Sequence, residues 1–266
     1  MKHLLYLVGF GPSARFLSIA ALQALARADK VYIDTYTSFA EGLDLELVKL
    51  FAPKAEVVKA SRKHLEDFSH KIIDEAKHAN VVVLVAGDPL TATTHNALRL
   101  EALKQGVKVE VIPAVSGLQL VIAATGLSWY RFGRPITLVF PEEHYKPYST
   151  VEVVVDNLKR GLHTLVLLDF RVDQGKVMDV KTGAKLLFEL AEELGKSFSE
   201  RLREAVMVGV ARAGFSDQKC VAGYLEDILA SEFPPPPHTL IVAHPRLHPI
   251  EEDLLKHLCG FKKSNY

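Results

Sequence analysis

Cysteine is nearly absent. Cys220 and Cys259 are the only two in 266 residues, too few for a disulfide framework, and neither sits in a CxxC or a His/Cys cluster of the kind that binds zinc. Reduced thiols in a cytoplasmic protein, with no metal, are therefore expected. Net charge is absent as well: Lys plus Arg and Asp plus Glu both number 32, so no general electrostatic pull toward nucleic acid is expected. No apolar run approaches the roughly 18 residues needed to cross a bilayer. Met1-Lys2-His3 leads directly into a strand-like segment, so neither a membrane anchor nor an export signal is expected. Asn (four), Gln (five), Cys (two) and Met (three) are scarce together, a shortage of thermolabile residues that hints at a hot environment.

What remains is an ordinary globular composition, 48% hydrophobic and 24% charged, which excludes disordered, collagen-like and coiled-coil classes. The length, at roughly 150 residues per domain, suggests two small domains. In the first half, short β-branched runs alternate with amphipathic stretches, the pattern of an α/β fold with parallel strands and helical crossovers. Strands are expected at Leu4–Gly9, Val31–Asp34, Glu56–Lys59, Val81–Ala86 and Lys108–Ile112. Helices are expected at Leu17–Ala28, Asp44–Phe51, Leu65–His78 and Thr93–Gln105. Val81–Val85 is continuously apolar and should be a central strand covered on both faces. The texture changes after Gly126, where Trp129, Tyr130, Phe132 and Pro135 cluster, and the domain boundary is placed near Gly133. This gives an N-terminal domain, 1–133, with a parallel Rossmann-like sheet, and a C-terminal α/β domain, 134–266. Strands in the latter are expected at Ile136–Val139, Thr164–Asp169, Ala205–Ala211, Lys219–Tyr224 and Thr239–Ala243, with helices at Val151–Arg160, Gly183–Lys196 and Ile250–Leu258. Pro234–Pro237 should form an exposed extended segment leading to His238.

Open parallel sheets bind ligands at the carboxyl ends of their strands, so the residues after Gly9, Asp34 and Ala86 come under scrutiny. Gly9-Phe10-Gly11-Pro12-Ser13-Ala14 fits G-x-G-x-x-G/A, with Asp34 twenty residues beyond Ala14, which keeps a nicotinamide-dependent oxidoreductase open. Gly87-Asp88-Pro89 is followed by Thr91-Ala92-Thr93-Thr94-His95, in which a threonine hydroxyl could cap the next helix. Ser116-Gly117 forms a small-residue turn after the fifth strand, and Ser116 is a candidate N-cap. Asp169, Arg171, Arg212 and His238 lie at or near strand ends.

Taken together, these segments resemble the diphthine synthase family, a branch of the tetrapyrrole methylase-like transferases, along essentially the whole chain. The resemblance is carried by Tyr36-Thr37-Ser38, Gly87-Asp88-Pro89 with Ala92-Thr93-Thr94-His95, and Thr125-Gly126-Leu127 with Tyr130-Arg131-Phe132-Gly133. It extends through Gly161-Leu162-His163-Thr164, Leu168-Asp169, Ala211-Arg212-Ala213-Gly214, Ala222-Gly223 and Pro237-His238. It implies two α/β domains, the second with a mixed sheet, and a methyl-donor site in the cleft between them. The donor it implies is S-adenosylmethionine, released as S-adenosylhomocysteine. Position by position, it implies donor contacts at Phe10, Asp88, Thr91, Ser116, Gly117, Leu168, Ala211 and His238. Phe10 stands where the family usually has Leu, and the stretch after Gly11 is shorter than usual.

The resemblance further implies repeated methylation of the amino group of an aminocarboxypropyl-modified histidine in elongation factor 2, by a cytoplasmic homodimer with no nucleic-acid or membrane partner. Alternatives within the superfamily are a tetrapyrrole or ribosomal RNA acceptor. No catalytic residue is assigned. Asp88, His95 and His238 are the titratable candidates for a base, and Arg131, Arg171 and Arg212 the candidate contacts for a substrate carboxylate.

Overall fold

The structure is a computed structural model, and it describes residues 3–263. The chain forms two compact units, Met1–Gly117 with Val172–Gln174, and Leu118–Arg171 with Gly175–Tyr266. The first contains β1 (Leu4–Gly11), α1 (Ile19–Ala26), β2 (Lys30–Asp34), α2 (Leu45–Phe51), β3 (Glu56–Ala60), α3 (Arg62–Leu65), α4 (Ser69–Ala76), β4 (Val81–Ala86), α5 (His95–Lys104) and β5 (Lys108–Ile112). Its five strands pair in parallel in the order β3-β2-β4-β1-β5. β4 is central and every one of its residues is buried, as its unbroken apolar run requires. Leu65–His78 is not one helix but two, α3 and α4, separated around Glu66–Phe68.

Helix placement follows from burial. Ala21, Ala24 and Leu25 of α1 and Val48 of α2 pack with Val8, Ile33 and Leu84 on one face of the sheet. Ile72, Ile73, Leu98 and Ala102 of α4 and α5 pack with Leu7, Val83 and Val85 on the other. Each large aliphatic side chain so buried contributes about 1.5–3 kcal/mol. Ser18 Oγ accepts from Ala21 N–H at 3.1 Å and Asp44 Oδ1 from Leu47 N–H at 2.8 Å, which fixes where α1 and α2 begin. Because α1 and α5 lie on opposite faces, the chain leaves β1 and β4 in opposite directions, the arrangement that opens a crevice at adjacent strand ends.

The second unit follows with α6 (Gly117–Thr125), whose first residue belongs to the first unit, then β6 (Ile136–Leu138), α7 (Tyr148–Lys159), β7 (Thr164–Leu168), a small hairpin of β8 (Phe170–Arg171) and β9 (Lys176–Val177), α8 (Val180–Leu194), α9 (Lys196–Glu204), β10 (Val206–Ala211), β11 (Lys219–Gly223), α10 (Leu225–Ala230), β12 (His238–Ala243) and α11 (Pro249–Cys259). The sheet β11-β10-β12-β7-β6 is mixed: only β6 and β7 are parallel. The division between units falls after Gly117, the first residue of α6, rather than near Gly133. The physical reason is apolar: Val121 and Leu127 share a core with Leu165, Val208, Ile241 and Leu255, so the segment after Gly117 packs with the second sheet. The proline segment also differs from expectation. Its Pro236–Pro237 bond is cis, most of it is only partly exposed, and its carbonyls accept hydrogen bonds from Arg212 and His238.

The motif residues Arg131, half-buried, and His163, buried, form a clasp around the buried carboxylate of Glu251. Glu251 accepts hydrogen bonds from Ser128 N–H at 3.0 Å and His248 N–H at 2.9 Å, faces His163 Nε2 at 3.2 Å, and pairs with Arg131 Nη1. Arg131 Nη2 donates to the carbonyls of Gly161 and Arg246, and His244 N–H donates to His163 Nδ1. The imidazole thus gives one hydrogen bond and takes one, which defines a neutral ring. Burial, outweighing the pull of Glu251, lowers His163 to about 4. Burial alone would raise Glu251, but the hydrogen bonds from His248, Ser128 and His163 hold it at about 2. Both folded values lie below the ordinary ones, so the unfolded chain binds the extra protons on acidification. Stability should therefore fall from pH 6.5 toward 4 as unfolded histidine protonates, and again from about 4.5 toward 2 through Glu251. His238 and His244, also lowered chiefly by burial, act in the same direction. Thermal melts across this range should show it, with His163→Asn flattening the upper part; a melting temperature constant from pH 7 to 4 would refute the assignment.

The two cysteines are not reduced thiols but a disulfide. Cys220 on β11 and Cys259 at the end of α11 stand 4.8 Å apart between Cα atoms across 39 residues of chain, because α11 packs along β11. Closing a loop of that length stabilises by roughly 2–4 kcal/mol. A strong reductant should lower the wild-type melting temperature and leave Cys259→Ser unaffected; a wild-type melt indifferent to reductant would count against the bond. Among the described residues no helix is long and apolar enough to cross a membrane.

Candidate active site

The carboxyl ends of β1, β4 and β5 are pinched together in the first unit. Gly11 and Gly87 exchange two backbone hydrogen bonds, at 3.1 and 3.0 Å. A Cβ on Gly9 would stand 2.6 Å from Ala114 Cβ, 2.7 Å from Gly87 O and 2.9 Å from Ala114 N, so only glycine lets the three ends meet. By contrast, a Cβ on Gly117 would meet nothing within 4 Å, and one on Gly87 only Gly117 N, at 4.0 Å. The glycine-lined space in front of the pinch is where a ligand can approach the backbone closely.

Asp88 braces this arrangement. Its Oδ1 accepts from Leu90 N–H at 3.0 Å and Thr91 Oγ1 at 2.9 Å, and its Oδ2 from Ala114 N–H at 3.2 Å, which ties the loop after β4 to the loop after β5. Ala92 is held at φ 56°, a left-handed conformation that costs a non-glycine residue of order 1–3 kcal/mol and recurs at functional sites. The threonines do not cap α5. Thr93 Oγ1 donates to Pro89 O at 2.7 Å, and Thr94 Oγ1 lies 2.9 Å from Tyr36 Oη and 3.2 Å from Glu66 Oε1. Phe10 is buried in the core with Val8, Ile33 and Leu84, so what it offers a ligand is backbone. Ser116 is buried directly before α6, and Gly117 is that helix's first residue.

Asp34 is committed locally. Its Oδ1 accepts from Tyr36 N–H at 2.9 Å and Thr37 N–H at 3.1 Å, and Oδ2 from Thr37 Oγ1. The Asp34 side chain is fully buried and turned onto its own loop, out of reach of a ribose, so the Gly9–Ala14 motif with Asp34 does not make a dinucleotide site here. Gly9 is spent on strand packing and Asp34 on its own turn. Sequence reasoning missed the contact of Tyr36 with Thr94 and Glu66, for which no local spacing exists. Burial, with Glu66 alongside, pushes the Tyr36 phenol up to about 12.

In the second unit, Leu168, Ala211 and His238 come together at one end of the mixed sheet. Ala211 pairs with His238 across β10 and β12, and the register that pairs Thr239 with Leu167 sets Leu168 opposite His238. Three residues from distant parts of the chain thus form one row. The His238 ring is already engaged: Val180 N–H donates to Nδ1 at 3.1 Å, and Nε2 donates to Pro234 O at 2.6 Å. Burial lowers its pKa, in keeping with a neutral ring. A Cβ on Gly183 would stand 2.6 Å from Leu168 Cδ2, so the leucine side chain packs on α8 and the backbone is what this row presents.

The candidate carboxylate-binding arginines all have acidic partners. Arg131 belongs to the Glu251 clasp, at the end of the sheet opposite Leu168, Ala211 and His238. Arg171 pairs with Glu142 at 2.7 Å and Asp169 at 2.9 Å, and Arg212 with Asp217 at 2.6 Å. Trp129 and Tyr130 lie in the second unit with their rings exposed, and Phe132 packs edge-on against His163. Among the described residues no group of three His, Cys, Asp or Glu could hold a metal ion.

Residues 4–229 match the family of tetrapyrrole (corrin/porphyrin) methylases. The chain is 43% identical over 266 residues to the diphthine synthase of Staphylothermus marinus, covering 99% of this chain and 96% of that one. It is 38% identical over 246 residues to the diphthine synthase of Methanocaldococcus jannaschii, covering 91% and 93%. A crystal structure of a diphthine synthase superposes with a TM-score of 0.84 at 31% identity, covering 97% of each chain.

Proposed function

The chain belongs to the tetrapyrrole methylase family and, within it, to the diphthine synthases, and on that premise we propose that it methylates the amino group of an aminocarboxypropyl-modified histidine in elongation factor 2. It is an S-adenosylmethionine-dependent methyltransferase of diphthamide biosynthesis. The observation that carries donor binding is the pinch at Gly9, with open space before Gly87 and Gly117. A molecule with an amino-acid tail, a sulfonium and an adenosine needs close backbone approach, a few polar anchors and apolar walls. Phe10, Asp88, Thr91, Ser116 and Gly117 would supply these in the first unit; the family's pattern also assigns donor contacts, largely through backbone, to Leu168, Ala211 and His238.

S-adenosylmethionine, when bound, supplies a methyl group already activated on sulfur. The task left to the protein is to hold the acceptor nitrogen in line with the methyl–sulfur bond at about 3–3.5 Å and to receive the amine unprotonated. A dry crevice favours the neutral amine. Asp88 is held as a brace by hydrogen bonds to both its oxygens, a placement that suits anchoring better than proton transfer. His238 is likewise engaged, with both its nitrogens bonded. With these two so engaged, we infer that proximity and desolvation carry the reaction.

The same family supports a homodimer in the cytoplasm, with no nucleic-acid or membrane partner, and the balance of 32 cationic against 32 anionic residues fits that reading. The disulfide is compatible with it, since intracellular proteins of hyperthermophiles are often disulfide-rich. Incubating the protein with S-adenosylmethionine and elongation factor 2 carrying the aminocarboxypropyl-histidine should add whole methyl masses to the factor by intact mass spectrometry. No gain in a protein that binds the donor would redirect the search to tetrapyrrole or RNA acceptors.

A further inference from the structure

His95 is the first residue of α5, directly after the loop that carries Asp88 and Thr91, and it is 2% exposed. Its ring lies between that loop and the carboxyl end of β2: Nε2 stands 3.3 Å from Asp34 Oδ2. Yet neither ring nitrogen completes a hydrogen bond, and these two are the only buried side-chain nitrogen or oxygen atoms without a partner among the described residues. A buried polar atom left unpaired is costly and rare, and each case calls for an explanation.

Stability does not supply that explanation. Asp34 has three other donors, Tyr36 N–H, Thr37 N–H and Thr37 Oγ1, so an apolar side chain in place of His95 would orphan nothing. The fold therefore tolerates an unpaired imidazole that a leucine would improve upon. Conflicts between local stability and residue choice concentrate where a ligand completes the structure. The carboxylate beside Nε2 accepts hydrogen bonds only, so in the neutral ring the proton sits on Nε2 and Nδ1 is left as an acceptor.

We propose that His95 is a positioning residue whose missing partner arrives with the ligand: Nδ1 accepts a hydrogen bond from an N–H or O–H donor brought by the methyl donor or by the acceptor, and Asp34 orients the ring for it. This rests on the reading of the Gly87–His95 segment as part of the methyl-transfer site. A bound donor group would fix the ring and swing Nε2 into line with Asp34, locking the start of α5 against the turn that carries Tyr36. Tyr36 in turn holds Thr94 at the end of the same loop. The protein would thus couple occupancy of the site to the order of its loop.

The test uses the full chain with ¹⁵N-labelled histidine. Imidazole ¹⁵N spectra should show the Nε2–H form of His95, and its Nδ1 resonance should move on saturation with S-adenosylhomocysteine, or only on addition of modified elongation factor 2. The first outcome assigns the partner to the methyl donor and the second to the acceptor. His95→Leu should melt no lower than wild type, yet weaken binding of the responsible ligand roughly tenfold, the worth of one hydrogen bond. His95→Asn, which keeps an acceptor near the Nδ1 position, should restore most of that loss, and His95→Gln should not. An Nδ1 resonance unmoved by either ligand, or a His95→Leu variant that loses stability and activity together, would overturn the proposal. If the wild type leaves elongation factor 2 unmethylated, the acceptor assignment fails on its own, while the S-adenosylhomocysteine titration still decides the role of His95.

Discussion

Gly9→Val is expected to abolish measurable binding of S-adenosylhomocysteine, a loss of at least about a thousandfold, or roughly 4 kcal/mol. Even a single Cβ at this position would sit 2.6–2.9 Å from Ala114 and Gly87, distances that real atoms do not tolerate. The obstruction is backbone and short side chain, so no flexible group can swing aside. The ends of β4 and β5 must separate, and with them go Asp88 and Thr91 on one loop and Ser116 and Gly117 on the other. Gly9→Ala should lose stability by about 1–3 kcal/mol through overpacking and bind the donor at least about a hundredfold more weakly. Gly117→Ala provides the contrast: its Cβ meets no protein atom within 4 Å, so its melting temperature should hold while donor affinity falls. Calorimetric titration and thermal melts of the three variants decide the matter. Wild-type affinity in Gly9→Ala would show that the pinch does not form the donor site.

The second large effect is in stability. Glu251→Ala should cost about 3–5 kcal/mol, the range for removing one partner from a buried ion pair. Total stability of an ordinary domain is only about 5–15 kcal/mol, so much of it would go. The loss is large because it is shared: Arg131, His163 and the amides of Ser128 and His248 would all lose their acceptor at once. These groups tie the turn at Trp129–Arg131, the start of β7, the end of β12 and the start of α11 to one carboxylate. Glu251→Gln should cost less, because one oxygen remains to accept. Urea unfolding at neutral pH measures both, and a difference below about 1 kcal/mol for Glu251→Ala, within the range of an exposed pair, would show that the clasp is ornamental. Donor binding should survive in whatever fraction stays folded, since the clasp lies at the far end of the second sheet from Leu168, Ala211 and His238.

Where the sequence was informative, the signal was local. The apolar run Val81–Val85 marked a central strand because a strand covered on both faces needs no polar alternation, and that strand is β4. Glycines at the end of β1 and Asp88 after β4 stood out because turns and strand ends restrict residue choice within a few positions. The same locality misled where a motif had two readings. Gly9–Ala14 with Asp34 fits a dinucleotide fingerprint in spacing, but the fold uses Gly9 for close packing and Asp34 for its own turn. Threonines placed to cap α5 instead bond Pro89, Tyr36 and Glu66.

By itself, then, the sequence determined the alternation of strands and helices and the strand-end loops that stand out as candidates, because hydrophobic period and turn chemistry act over neighbouring residues. Only the tertiary structure decided the partnerships across long separations: Cys220 with Cys259 over 39 residues, Tyr36 with Thr94 over 58, and His163 with Glu251 over 88. It also decided that the segment after Gly117 joins the second unit, where Val121 and Leu127 find their core. Periodicity states which face of an element is apolar, but not which other element will cover it. That choice belongs to the packing of the whole chain, and the unpaired ring of His95 could be seen only once that packing was in place.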